Sequence, residues 1–461
     1  MQLPPQSLQD TLAEFDQQHL LAFWDEIDQN QRAHLVQQLE SIDFDQLQQL
    51  LSNKADETAD DRVGRAALPG NLVTLDTDPT QRAAAKQAGE EALTAGRVGV
   101  ILVAGGQGTR LGFPYPKGMF PIGPVSENTL FQILAEQLIA RSSRSGNVVP
   151  YYVMTSDATH DETVAFFQTN ENFGLPEDSV HFFKQGNMPA VDRASGKVLL
   201  ASKAAVACSP DGHGGMLQAL AQSGLLQQMK SDGIDLLYYH QVDNPTAIVA
   251  DPEFLGFHLR YQSELSVKVV RKVSPTERMG VIVDVDGSLQ IIEYSEMTPE
   301  EAAGEDADGN WIFWAGNTAI HIFDRGLLER VSDAGLPFHL AKKDVPHIDE
   351  AGAAITPDEP GNPNAIKFER FIFDTLPLAK NALVVEASRE REFNPVKNRE
   401  GNDSPDTAKA ALAAIGREWL KATGHDVADD AIIEISPLAA LEASELQVQP
   451  DRQISGKLFV Q

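Results

Sequence analysis

Val98–Ala104 (VGVILVA) is a continuous apolar run, and the chain passes from it straight into GGQGTRLGFPYPKGM. A short run without polar alternation is expected of a strand buried on both faces of a parallel sheet. The stretch Val103–Met119 then holds five glycines, two prolines, one arginine and one lysine in seventeen residues. A glycine-rich turn after a buried strand lets backbone N–H groups converge on an anion with no Cβ in the way. Arg110 adds a planar fork suited to phosphate oxygens, and Lys117 adds a point charge. Pro116 stiffens the approach to Lys117 by fixing its own φ. This is equipment for holding a triphosphate. Its spacing fits neither familiar phosphate motif. Neither Gly105 nor Gly112 opens a Gly-x4-Gly-Lys-Ser/Thr loop, and Gly106, Gly108 and Gly112 are one residue too widely spaced for the dinucleotide fingerprint.

Three further apolar runs, 148–156, 179–186 and 234–244, follow helical patterns such as TLFQILAEQLIARS. Strands alternating with helices predict βαβ units and a doubly wound α/β sheet. The pattern then turns antiparallel, with a hairpin expected at Asp286-Gly287. From 383 a strand run, ALVVEAS, leads to a charged tail with a helix expected after Ser404-Pro405. Ahead of the first strand, Leu12, Phe15, Leu20, Phe23, Trp24 and Ile27 recur at helical spacing, a stripe expected to pack on the protein itself. Residues 53–72 read as a charged, Gly/Pro-punctuated connector. At 461 residues the chain is expected to divide into a helical region (1–95), a catalytic domain (96–382) and a small C-terminal region (383–461).

Charge narrows the partners. Lys and Arg number 37 against 67 Asp and Glu, a net charge of −30. Such a surface repels nucleic-acid phosphates and anionic membranes, so neither is an expected partner. An anionic substrate has to be met by local cations working against the overall field. The single cysteine, Cys208, excludes a disulfide framework and is expected to be a small core residue. No cationic-apolar leader and no run approaching the ~18 apolar residues of a membrane span is visible, so a cytoplasmic location is expected.

The strings LVAGGQGTRLGFPYPKGM, TLFQILAEQ, YYVMTS, FFKQGNMPA, SPDGHGGMLQAL, QVDNP, MGVIVDVDG, IIEYSEM, WAGNTAIH, NAIKFERFIFD and FNPVKN occur in this order between about 97 and 400. The ordered set resembles the UTP–sugar-1-phosphate uridylyltransferases, the UDP-sugar pyrophosphorylases, and is most similar to the eukaryotic-type UDP-N-acetylglucosamine branch. The resemblance implies a Rossmann-like nucleotidyltransferase fold of the glycosyltransferase-A-like kind, a mixed sheet flanked by helices. It implies UTP and a sugar 1-phosphate as substrates, a UDP-sugar and pyrophosphate as products, and Mg²⁺ as cofactor. In that reaction an ionised phosphate oxygen is the nucleophile, so no general base is required and catalysis is positioning plus charge neutralisation.

By the same resemblance, Arg110 and Lys117 cradle the β and γ phosphates. Val103, Ala104, Gly105 and Gly106 lie against the nucleotide, Gln185 reads the uracil edge, and Gly212 allows close approach. Lys367 meets the nucleotide phosphates and Lys397 the sugar phosphate. Asp243, expected at the C-terminal end of a parallel strand, holds the metal beside the α-phosphate. Gly280, Glu293, Tyr294, Asn317 and His213 serve the sugar. Without the resemblance Gln185 would read as a turn residue at the core's edge and Asp243 as a cap. Trp311 and Trp314 are expected in the core, and GEDADGN (304–310) as a solvated turn rather than a calcium loop. One motif is mixed. The position of His213 is usually Asn in the N-acetylglucosamine branch; glucose-specific relatives usually have His there but follow it with an acid where this chain has Gly215. N-acetylglucosamine 1-phosphate is the expected substrate, with glucose, galactose or N-acetylgalactosamine 1-phosphate as alternatives, and a non-catalytic UDP-sugar binder as the alternative class.

Overall fold

The run at Val98–Val103 is the strand expected, and it lies near the middle of a mixed sheet in the computed structural model, which describes residues 3–52, 62–356, 362–447 and 453–461. Leu236–Gln241, Val98–Val103, Tyr151–Thr155 and Val180–Lys184 lie side by side and parallel, in that order. The expected strands are recovered with shorter bounds. Tyr151–Thr155 starts only after Pro150, whose missing N–H cannot join a ladder. Beyond Leu236–Gln241 the sheet changes sense: Ala315–Asp324 pairs antiparallel to it and to Leu265–Arg271. Ala382–Glu386 then runs parallel to Leu265–Arg271, and Leu72–Val73 to Ala382–Glu386. The sheet is therefore mixed, as the family resemblance implies and as the turn from strand-helix alternation to an antiparallel pattern predicts.

The chain divides into two compact units, each built from three separated stretches. One comprises Met1–Asp61, Gln185–Met216 and Leu336–Ile372, the other Arg62–Lys184, Leu217–Gly335 and Phe373–Gln461. The boundaries expected at 95 and 382 both fall within stretches of the larger unit, because the chain leaves each unit and later returns to it. The larger unit holds the mixed sheet, with Leu130–Ser145 and Pro79–Thr94 among its helices. Its core includes Val100, Leu102, Leu134, Leu138, Val153 and Tyr238, all 0% exposed. The hairpin Val281–Val285/Ser288–Ile292 turns at Asp286 (φ 54°) and Gly287 (φ 85°). Positive φ at both central residues is the geometry that makes Asp-Gly a hairpin signal. Helix Pro405–Ala422 starts as expected, with Ser404 as N-cap and Pro405 in the first turn.

In the smaller unit the N-terminal helices Gln6–Glu14, Gln29–Glu40 and Phe44–Ser52 bury Leu12, Leu35 and Leu47, and the short turns between the first two bury Leu20 and Phe23, against Val191, Val198, Ile366 and Phe368. The apolar stripe is thus spent on the protein's own core. The connector 53–72 falls partly outside the described residues. Cys208 departs from expectation: it is exposed. It sits in the two-stranded ladder Cys208–Pro210/Asn187–Pro189, where alternation turns Ser209 inward and Cys208 outward. Trp314 is buried, with the Arg271 guanidinium 4.4 Å above its ring, whereas Trp311 is only half-buried. The 304–310 stretch is an exposed turn closed by N–H bonds from Asp308 and Asn310 to the Asp306 carboxylate, both 2.9 Å. No helix of the described residues is long and apolar enough to cross a membrane.

Candidate active site

In the larger unit the glycine-rich stretch folds back on itself. The N–H of Gly108 donates to the Tyr115 carbonyl at 2.9 Å, and that of Lys117 to the Gly106 carbonyl at 3.1 Å. Lys117 therefore returns to the strand end the loop left. Gly112 (φ 70°) closes the Thr109–Leu111 turn, a left-handed position that favours glycine. Gly108 and Gly118 are demanded by packing: a Cβ would lie 2.8 Å from the Phe113 ring in one and 2.2 Å from that of Phe131 in the other. Gly106 differs. Its φ is not positive and nothing lies within 4 Å of a Cβ there, so the protein's own atoms do not require glycine. Open space beside a bare backbone at a strand's C-terminal end suits a ligand. Gly105, whose carbonyl accepts from Ser156 Oγ at 2.8 Å, Ala104 and Val103 line the route into the loop. The Arg110 side chain is exposed and makes no hydrogen bond or ion pair among the described residues.

Asp243 stands two residues beyond the strand Leu236–Gln241, where the chain leaves the ladder. Its carboxylate lies 3.7 Å from Lys117 Nζ, and the two side chains are only 13% and 17% exposed. Its carbonyl accepts the Val396 N–H at 2.8 Å, which brings the FNPVKN loop and Lys397 to the same place. Lys397 is exposed, its Nζ 5.5 Å over the Phe393 ring. Burial pushes the Asp403 carboxyl up from its ordinary range, and the Lys397 charge offsets part of this. Lys117 and Asp243 thus pair, and the backbone of the Lys397 loop meets them at the Asp243 carbonyl.

The expected sugar residues of this unit also gather. Asn317 lies on Ala315–Asp324, where the pairing with Leu265–Arg271 slips by a bulge: Lys268 faces Ile320 but Val269 faces Asn317. The bulge carries Ala319 at φ 57° and aims Asn317, whose N–H donates to the Gly280 carbonyl at 2.9 Å. A Cβ on Gly280 would lie 2.8 Å from Glu293 Oε1, so a larger residue here would push the Glu293 carboxylate from its place. Tyr294, next in the chain, is 46% exposed.

The remaining expected residues belong to the smaller unit. Gln185 is buried, and the neighbouring Gly186 carbonyl accepts the Asp211 N–H at 3.0 Å. Gly212 (φ 84°) presses on the backbone of Arg370, where a Cβ would meet the carbonyl oxygen at 2.4 Å. His213 Nδ1 accepts the Ile372 N–H at 3.1 Å. An acceptor Nδ1 puts the ring proton on Nε2, so His213 presents an N–H donor, as an Asn amide does. A Cβ on Gly215 would lie 2.0 Å from Asp211 Oδ1, so any side chain at this position needs the buried Asp211 carboxylate to move aside. Lys367, on Ala365–Glu369, is half-buried and points away from its core neighbours Ile366 and Phe368.

Several residues of these centres escape sequence reasoning. Asn244 Nδ2 donates to the Glu392 carbonyl at 2.7 Å, and its Oδ1 accepts the Asn394 N–H at 3.2 Å. Lys268, 2% exposed, bonds Asp251 Oδ2 at 2.6 Å and also Glu392. These bonds join the segment carrying Asp243 to the one carrying Lys397. The only sequence trace is that both segments contain Asn-Pro, an ordinary turn signal. Asp211 and Arg370, 3.9 Å apart, are equally invisible, since a buried pair has no local pattern.

A parallel strand ending in a glycine-rich loop, with Lys117 beside a carboxylate at the end of the neighbouring strand, is an arrangement suited to nucleotidyl transfer. The family described as UTP–glucose-1-phosphate uridylyltransferase matches residues 43–461, and the chain belongs to it. It is 38% identical to the UDP-N-acetylglucosamine pyrophosphorylase of Saccharomyces cerevisiae over 80% of this chain and 78% of that protein. It is 36% identical to the human UDP-N-acetylhexosamine pyrophosphorylase-like protein 1, over 94% and 92%. Among solved structures, the uridine diphosphate N-acetylglucosamine pyrophosphorylase of Trypanosoma brucei superposes with a TM-score of 0.81 at 25% identity, covering 100% of this chain and 99% of that one.

Proposed function

We propose that this enzyme transfers the uridylyl group of UTP to N-acetylglucosamine 1-phosphate, forming UDP-N-acetylglucosamine and pyrophosphate. The observation that carries the reading is the convergence of Lys117, Asp243 and the Lys397 loop at the end of the glycine-rich loop. An oxygen of the sugar phosphate bonds to the α-phosphorus as the bond to the β-phosphate breaks, and the electron pair leaves with pyrophosphate. Lys117 and Arg110 hold the departing phosphates, Lys397 holds the attacking one, and Asn317 and Glu293 bond the sugar. Roles for Gln185 toward uracil, Gly212 and Lys367 toward the nucleotide, and His213 toward the sugar belong to the same reading.

Mg²⁺ fits the donor set. No group of three or more His, Cys, Asp or Glu side chains suited to a metal occurs among the described residues. Asp243 offers a single carboxylate, the arrangement of a cation that keeps several waters and takes substrate phosphate oxygens. Bound there, Mg²⁺ would supply charge neutralisation on the phosphates. The relatives' names support the N-acetylated sugar.

Pyrophosphate release from UTP, assayed against glucose, galactose, N-acetylglucosamine and N-acetylgalactosamine 1-phosphates, tests the reading. The highest kcat/KM is expected for N-acetylglucosamine 1-phosphate. A preference for glucose 1-phosphate would shift the sugar assignment, and no release with any of the four would remove the catalytic one.

A further inference from the structure

Of the cations expected at the phosphates in the larger unit, two already stand beside acids. Lys117 Nζ is 3.7 Å from Asp243, and Lys397 interacts with Asp403. Arg110 alone is unpaired among the described residues, and it shares the β and γ phosphates only with Lys117, whose charge Asp243 partly offsets, on a molecule of net charge −30. The structure brings up another. Arg399 follows Lys397 in a loop closed by the N–H groups of Lys397 and Asn398, which donate to the Asp403 carbonyl at 2.7 and 2.9 Å. Its Nη1 lies 3.7 Å, and its Cζ 3.9 Å, from the point a Cβ on Gly112 would occupy. Gly112 ends the turn that carries Arg110, so this guanidinium rests against the glycine-rich loop itself. Its one acidic partner among the described residues, Glu400, is 4.0 Å away with both side chains mostly exposed, an ion pair of little strength.

We propose that Arg399 is a phosphate-contacting residue. Together with Arg110 it binds the β and γ phosphoryl groups of UTP and the pyrophosphate that leaves. The sugar phosphate is left to Lys397. A guanidinium is suited to this place because two N–H groups in a plane can bridge oxygens of adjacent phosphates. The inference deepens the uridylyltransferase reading and rests on it. It makes one prediction that the reading does not: the effect of Arg399 divides between the substrates.

The test measures initial rates in both directions, and UTP and pyrophosphate binding by titration calorimetry, for the whole protein and for Arg399→Ala, Arg399→Lys and Lys230→Ala. Lys230, on the helix Leu225–Ser231 ahead of the N-terminal end of the strand Leu236–Gln241, removes the same charge from the other end of that strand. Arg399→Ala is expected to weaken UTP and pyrophosphate by about ten-fold and leave the KM for sugar 1-phosphate within about two-fold, with Arg399→Lys intermediate and Lys230→Ala unchanged. The proposal is overturned if Arg399→Ala binds both as the unmodified protein does. It is also overturned if Lys230→Ala loses as much, or if the sugar-phosphate KM rises equally. Should the unmodified protein turn over no sugar phosphate, the uridylyltransferase reading fails, while calorimetry with pyrophosphate still decides on Arg399.

Discussion

Asp243 lies where the chain leaves the central strand, with a lysine on one side and the Val396–Lys397 backbone on the other. Replacing its carboxylate by an amide keeps the volume and removes the charge that a hydrated cation needs. Asp243→Asn should cut turnover about 100-fold and raise the Mg²⁺ concentration for half-maximal rate. Rate against Mg²⁺ checks this, and an unchanged midpoint would argue against coordination. Asp211 offers a pH signature. Burial raises its carboxyl to about 6 against the pull of Arg370. A folded value above the unfolded one means the native state binds the proton more tightly, so the contribution of Asp211 to stability falls as pH rises through about 4 to 6. The unmodified protein should therefore gain on Asp211→Asn as pH drops from 7 to 5, by about 1 kcal/mol, read from paired thermal melts. The residues legible in sequence were those carried by a contiguous motif, Arg110 and Lys117. Arg399, Asn244 and Asp211 were not, because their neighbours lie far away in the chain.

At the scale of elements, helix Pro79–Thr94 crosses helix Pro252–Arg260 at unusually close range. A Cβ on Gly256 would lie 1.6 Å from the Ala85 carbonyl oxygen, and one on Gly89 1.9 Å from that of Pro252. Glycine inside a helix costs about 1 kcal/mol against alanine, and here the contact between backbones offsets that cost. Gly256→Ala should destabilise by more than about 2 kcal/mol through forced separation of the helices. Gly326, on helix Arg325–Ala334, has nothing within 4 Å of a Cβ, so Gly326→Ala should instead stabilise, by up to about 1 kcal/mol. Denaturant midpoints of the two variants should move in opposite directions. The strands were legible because a buried strand declares itself in consecutive residues. The bulge at Thr318–Ala319 was not, since register is a property of two strands together.

At the scale of the molecule, a net charge of −30 makes the surface repel itself. Raising NaCl from ~0.01 M to ~0.15 M shortens the screening length from ~30 to ~8 Å. The melting temperature should rise over that interval, and a fall would show that attractive surface pairs outweigh the repulsion. Composition, the glycine-rich loop and the ordered motifs determined the class of fold, the phosphate chemistry and the substrate family, because each is written in neighbouring residues. Only the tertiary structure decided that the chain forms two discontinuous units and that Asp243 meets Lys117 and the Lys397 loop. It alone showed Arg399 lying on the glycine-rich loop. These are distances between segments up to hundreds of residues apart, and they come into being only when the sheet brings its strand ends together.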